Sequence, residues 1–394
     1  MQLSLTFVTA LLLSSGAVFA SPVDTKTGTT PIELQRRAQL VASDGKLNVS
    51  ALHHHFQGVE NKYKTALNNY KRNTGKNHPL AKQSNTKRAT GDVSLEDIEH
   101  EQLWAGDVTF GGQTFAIDFD TGSADTLANP GAYNPSRSSN SKNTHRSFYT
   151  SYGDGTNAQG TIYTDSFSIG GLNARDVAIG RSSNSFIGGE NDNQGISGLA
   201  FPSIQSFPKQ YPPFFESLRQ QRAVSQGVFQ FTLKAGGGSS LHLGGIDSSK
   251  YSGSISYADV DSSQGFWITD ATVNGERITA IVDSGSTIIS GPSDQVRSVV
   301  SNINGVREVN QGGQTLYVYD CSQTPHVTIN IAGKSFTLSR DQTRYGTYDG
   351  QCVLPIAPVD GMPLNGWILG DTLFRSASVI FDVDRSRIGF ANQA

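Results

Sequence analysis

Two stretches decide the reading of this chain: Ala116-Ile117-Asp118-Phe119-Asp120-Thr121-Gly122-Ser123 and Thr279-Ala280-Ile281-Val282-Asp283-Ser284-Gly285-Ser286. Each is an apolar, β-prone run that ends in an Asp-hydroxyl-Gly-Ser turn. Each is followed further on by an apolar-Gly element, Gly195-Ile196-Ser197-Gly198-Leu199-Ala200 after the first and Trp367-Ile368-Leu369-Gly370-Asp371 after the second. The repeat is economically explained by two lobes of one design. It also places two carboxylic acids in equivalent settings. Such a pair suits hydrolysis of a peptide bond, where one group activates water and the other supplies a proton. Two carboxyls sharing a site cannot both ionise freely, so their ionisations split. Gly122 and Gly285 allow close backbone approach, and the hydroxyls of Thr121, Ser123, Ser284 and Ser286 can fix the geometry. Asp118 rivals Asp120 because it lies on the same strand face. Only Asp120 carries the Thr-Gly-Ser continuation.

Outward from these motifs the chain is long, at 394 residues, and two domains or lobes are the prior. Short strand-like runs, such as Phe115 to Phe119, Thr161 to Ile169, Val228 to Leu233, Trp267 to Val273 and Val379 to Val383, alternate with turn signals. Helical stretches are few: Pro213 to Gln221, Asp294 to Ile303 and Asp371 to Phe374. The expected class is all-β, with residues 89–255 and 256–394 as the two lobes.

The amino-terminal part differs in kind. Leu3 to Ala20 is an apolar stretch ending in Val18-Phe19-Ala20, so residues 1–20 read as a secretory signal peptide. The run is short for a membrane anchor. Residues 21–88 carry 12 Lys and Arg against 4 Asp and Glu, whereas residues 89–394 carry 19 against 30. A basic segment therefore precedes an acidic body, and the dibasic pair Lys87-Arg88 suits a processing protease. Residues 21–88 read as a propeptide in preference to a basic tail for nucleic acid or membrane. Within it, Tyr63, Ala66, Leu67 and Tyr70 have helical spacing, and nearby lysines could pair with acidic groups of the body. His53-His54-His55 could serve a pH response better than a metal, because adjacent residues cannot all face one ion. Cys321 and Cys352 are the two cysteines, and in a secreted chain they imply one disulfide. Asn48-Val49-Ser50 is the single glycosylation sequon, and no carboxy-terminal apolar tail suggests a lipid anchor.

With these motifs in order, the chain resembles the pepsin-like aspartic endopeptidases, and among them the secreted fungal members. The resemblance spans nearly all of residues 89–394 and includes Tyr152-Gly153-Asp154-Gly155 and Gly244-Gly245-Ile246-Asp247 beside the motifs above. It implies a bilobal β fold with Asp120 and Asp283 at the bottom of a long cleft. It further implies a flap hairpin from about residue 148 to 164 closing Tyr152 over substrate, with Gly153, Asp154, Asp118 and Ile196 near the substrate. Thr121 and Ser284 would cross-bond beneath the dyad, Ser123 and Ser286 would bond the outer carboxylate oxygens, and Cys321–Cys352 would match the carboxy-lobe disulfide.

The expected partners are polypeptide substrates, the chain's own propeptide as an intramolecular inhibitor, and pepstatin-type inhibitors. No cofactor, metal, nucleic acid or membrane enters this reading, and a monomer is expected. Secretion to the medium is favoured over a vacuole. The rivals are a catalytically silent relative that binds protein or carbohydrate and a non-enzymatic secreted β protein; loss of either aspartate would have signalled the former.

Two departures from the family pattern stand out. Leu127 occupies the place of a tryptophan that bonds the flap tyrosine, and Gly112-Gln113 stands where relatives usually have proline. The carboxyls of Asp118 and Asp154, with Asn193 replacing an aromatic wall residue, suggest that lysine is accepted beside the scissile bond. The charge split suggests that the basic segment lies across the acidic cleft and is released as acid protonates the body's carboxylates.

Overall fold

The structure is a computed structural model that describes residues 30–36, 40–42, 44–82, 104–151, 157–186, 194–234 and 237–394. The signal stretch 1–20, the flap tip Tyr152-Gly153-Asp154, Asn193 and the dibasic pair Lys87-Arg88 lie outside the described residues.

Among the described residues strands dominate. We label β1 (Thr30–Glu33), β2 (Gln113–Asp120), β3 (Thr126–Ala128), β4 (Gly195–Gly198), β5 (Glu276–Val282), β6 (Ile289–Gly291) and β7 (Trp367–Leu369). The repeat read from sequence is a repeat of topology. β2 runs parallel to β4, with Asp120 opposite Gly198, and β3 returns antiparallel on the other side of β4. β5 runs parallel to β7, with Val282 opposite Leu369, and β6 returns antiparallel along β7. Each Asp turn is thus held between two strands that share a middle neighbour. The small residue at Gly198 is required there, because a side chain would strike the backbone of Ala124. These two units belong to an eight-stranded and a seven-stranded sheet respectively.

A six-stranded sheet joins the halves. Its order places Ser240–Leu243 and Val228–Thr232 beside the last two strands of the chain, Ala377–Asp382 and Arg387–Gln393, with Tyr251–Asp259 at one edge and β1 at the other. Strands from the two ends of the sequence are interleaved here, so the lobes share a sheet as well as a cleft. Its core is aromatic: Phe229 stacks on Phe381 with centroids 4.7 Å apart, and the buried Trp267 meets Phe381 edge-on at 4.9 Å. The Trp267 indole N–H donates to Leu199 O at 3.1 Å, tying this core to the first Asp unit.

Helices fall close to expectation in the body, at Phe214–Gln220, Ser293–Ser301 and Asp371–Phe374. The amino-terminal segment holds a longer one. Helix α1 (Val49–Thr74) has 26 residues. Leu52, Phe56, Val59, Tyr63, Ala66 and Tyr70, spaced alternately four and three residues apart, form one buried stripe. Asn48 caps its start by accepting from the Ala51 N–H at 3.0 Å, and Gly75, at φ +75°, ends it with a bond to Lys71 O. The disulfide Cys321–Cys352 is formed, closing a sequence separation of 31.

Candidate functional site

The Asp120 and Asp283 turns face each other, and the backbone beneath them is cross-bonded. The Thr121 N–H donates to Ser284 Oγ at 3.1 Å, and the Ser284 N–H donates to Thr121 Oγ1 at 2.9 Å. Each hydroxyl passes its own proton to the opposite strand, Thr121 to Val282 O at 2.9 Å and Ser284 to Phe119 O at 2.7 Å. All four residues are buried, so these bonds do not compete with water. Within each turn the glycine N–H donates to its own aspartate, Gly122 to Asp120 Oδ1 at 2.8 Å and Gly285 to Asp283 Oδ1 at 3.0 Å. A Cβ on either glycine would strike the carboxylate of the opposite lobe. That is how closely the two turns approach.

Both carboxyls are buried and close enough that an ionised Asp283 resists the ionisation of Asp120. The asymmetry follows from their surroundings. Burial pushes the pKa of Asp120 up, against the pull of Lys62, and the Asp283 charge adds to the rise. Burial also works against the Asp283 anion, but Lys62, the bond from Asp120 and the Ser286 hydroxyl outweigh it and hold Asp283 below the usual carboxylate range. Asp120 is therefore the first of the two to take up a proton as the pH falls. The expected outer bond is present at one aspartate, where Ser286 Oγ donates to Asp283 Oδ2 at 2.6 Å. At the other, Ser123 Oγ is buried outside normal hydrogen-bond length of any group among the described residues, though close enough for its dipole to favour the Asp120 anion.

Sequence reasoning left open which residues of the amino-terminal segment meet this pair. They are Lys62 and Tyr63. The Lys62 ammonium donates to Asp283 Oδ2 at 2.8 Å and Asp120 Oδ1 at 3.2 Å, and the Tyr63 hydroxyl donates to Asp283 Oδ2 at 2.9 Å. Burial lowers the Lys62 pKa, but the two carboxylates more than restore it, so the net shift is upward. The ammonium is only 8% exposed, because α1 lies across the cleft. The α1 stripe packs in one cluster with Phe266, Ile281, Leu316, Val318 and Met362 of the body. At its far end Arg72 donates to Gln205 O at 2.9 Å and Ser206 O at 3.1 Å. A void of about 30 Å³ beside Lys62 is bordered by Gly122, Ser123 and Leu127, room for no peptide. The signal in the sequence was a lysine beside the apolar stripe of a helix, a position that burial penalises unless an acid waits there.

The remaining expected residues are placed as follows. Asp118 is buried on β2, opposite Ile196 of β4. Its charge acts on a third acid that sequence reasoning gave no role. Asp371 is buried, and its pKa is pushed well up by burial and the charge of Asp283, with Asp118 adding and Trp104 and Arg375 opposing. Leu127 packs in a side cluster with Phe148, Ile196 and Phe207, so apolar contacts fill the place where an indole was expected. Of the three histidines, His53 bonds Gln57 at 2.9 Å and also Gln314, while His55 is buried. Burial, with Lys62 adding and Asp283 opposing, lowers the His55 pKa to about 4.

Comparison with known proteins agrees with this geometry. Residues 103–393 match the family described as eukaryotic aspartyl protease. The chain is 46% identical to secreted aspartyl protease 1 of Malassezia globosa over 395 residues, covering 99% of each chain. It is 31% identical to penicillopepsin-1 of Penicillium janthinellum, over 78% of this chain and 100% of that one. It is 33% identical to aspergillopepsin-1 of Emericella nidulans, over 84% and 87%.

Proposed function

The chain belongs to the eukaryotic aspartyl protease family and is an aspartic endopeptidase, and from that premise we propose that it is a secreted, acid-acting enzyme made as a zymogen, with Asp120 and Asp283 as its catalytic pair. The observation that carries this reading is the pair of buried, facing carboxyls, whose pKa values are pushed apart, with a cation from the chain's own amino-terminal segment resting on both. Once Lys62 leaves, a water bonded to both carboxyls takes its place. The ionised group draws a proton from that water as it attacks the peptide carbonyl, and the protonated group donates to the carbonyl oxygen. The roles then exchange as the amine departs. The Thr121–Ser284 bonds keep the carboxyls fixed throughout, so little reorganisation is left for the reaction step. Polypeptide is the substrate. The leader at residues 1–20 and the Malassezia relative's name support export.

Hydrolysis of a denatured protein at about pH 3–4 by the processed enzyme should be stopped stoichiometrically by a pepstatin-type inhibitor. Activity that persists at saturating inhibitor refutes the assignment of the pair.

In the zymogen, residues 21–88 act as the propeptide, α1 fills the cleft, and Lys62 neutralises the dyad. Processing after Lys87-Arg88 would separate the segment from the body. For specificity, Asp118 lies two residues before Asp120 on the same strand face, and with Asp154 it would offer negative charge to a lysine on the amino-terminal side of the scissile bond. For matched peptides with Lys or Leu at that place, Asp154→Ser is expected to lower the ratio of their kcat/KM values, Lys over Leu, by about tenfold. An unchanged ratio removes Asp154 from the specificity pocket.

A further inference from the structure

We propose that His78 is an acid-sensing latch that sets the pH at which the amino-terminal segment leaves the cleft. This inference rests on the zymogen reading above and adds the group that senses pH.

His78 follows α1 and is 3% exposed. Its ring is used on every side. Nδ1 accepts the Leu80 N–H at 3.1 Å, and Nε2 faces Gln264 O at 2.9 Å, where it must donate. The ring also meets Tyr70 of α1 at 4.9 Å and Phe266 of the body at 5.4 Å, both in edge-to-face contact. Only the neutral ring with its proton on Nε2 satisfies this arrangement. A second proton would have to sit on Nδ1, where it would point at the Leu80 N–H and break that bond. The strap downstream depends on the same residue: Leu80 O accepts from Asn365 N–H at 2.7 Å, the Lys82 N–H donates to Pro363 O at 2.8 Å, and Ala81 pairs with Leu364. Loss of the Leu80 bond therefore loosens the contacts that hold the segment's end to the body.

The charged and titratable groups that bear on the ring are Tyr70 from the helix and Asp261 from the body. The Asp261 carboxylate already accepts from Ser263 and Gln264, and its charge favours a protonated ring. Burial outweighs both that charge and the Gln264 carbonyl, so the docked His78 pKa lies below its ordinary value. The released segment then takes up a proton that the docked segment refuses. Docking is at full strength above about pH 6.5 and weakens by up to tenfold per pH unit below it, until the docked pKa is reached.

The test uses the intact full-length chain carrying His78→Gln, whose amide still donates to the Gln264 carbonyl but does not titrate. Two quantities are read after a jump from pH 7 to a series of lower values: hydrogen exchange over residues 76–82 and 363–366, and the initial rate on a short fluorogenic peptide before any chain cleavage. At about pH 5.5 the variant is expected to be released up to about tenfold less than wild type, with a shallower pH dependence. Once processed, both proteins share one sequence and one activity profile. His78→Arg should exchange rapidly even at pH 7. A His78→Gln chain that opens at the wild-type midpoint with the wild-type slope overturns the latch. So does one whose strap exchanges as fast at pH 7 as at pH 5, since His78 would then act only by packing. If the intact wild-type chain cleaves the peptide while its strap remains protected, the zymogen reading fails instead.

Discussion

Replacing either acid by its amide, Asp120→Asn or Asp283→Asn, is expected to lower kcat/KM of the processed enzyme by at least about 10⁴. An amide is nearly isosteric with the acid, so the turns should survive. The Gly122 and Gly285 N–H bonds and the Thr121–Ser284 bonds each have a partner that remains. What disappears is the exchange of one proton between two groups. The variants should differ before processing. Asp120→Asn removes the protonated partner and leaves the Lys62–Asp283 ion pair at 2.8 Å. Asp283→Asn removes the ionised partner and the acceptor of Lys62, Tyr63 and Ser286 together. Hydrogen exchange over α1 should therefore stay slow in the first full-length variant and rise in the second. Peptide turnover within tenfold of wild type in either processed variant would remove that aspartate from the mechanism.

The second large effect concerns Lys62. Lys62→Met keeps most of the side-chain volume and removes the charge, leaving an ionised carboxyl under the helix without its cation. Breaking one side of a buried ion pair typically costs about 3–5 kcal/mol, equivalent to roughly 10²–10⁴ in docking. The Tyr63 and Ser286 hydroxyls still donate to Asp283, and the apolar stripe of α1 still packs, so the lower part of that range is expected. The intact Lys62→Met chain should show inhibitor-sensitive turnover at moderately acid pH, where the wild-type chain is silent. Mass spectrometry before and after the assay verifies that the chain is uncut. Silence equal to wild type would mean that the stripe alone closes the cleft.

Much of this was legible in the sequence because the two Asp turns are local. Each needs only a strand, a hydroxyl and a glycine, and the order of residues specifies all three. The pairing of Thr121 with Ser284 follows once the units are recognised as duplicates. The cleft-filling helix was only half legible. The stripe visible from Tyr63 to Tyr70 continues upstream through Val59, Phe56 and Leu52, but Gln57-Gly58 and three histidines interrupt its apolar appearance. Lys62 reads as a surface residue until its partners are known, since what stabilises its burial lies in both lobes. The shared sheet was hidden for the same reason. The pairing of Val228–Thr232 with Ala377–Asp382 depends on contacts far apart in sequence, and no local pattern reports it. The unequal partnering of Ser123 and Ser286 arises from tertiary placement, since the two residues occupy identical places in their motifs.

The interleaved sheet has a consequence for the order in which this protein is made. Its central pairing joins Phe231 to Val379, and its last strand is Arg387–Gln393, more than 300 residues after Lys62. Synthesis proceeds from the amino terminus and domains form as they emerge. The sheet that joins the lobes cannot close until Arg387–Gln393 has left the ribosome. Lys62 and α1 are by then long since complete. The cleft is therefore assembled in the presence of the segment that fills it.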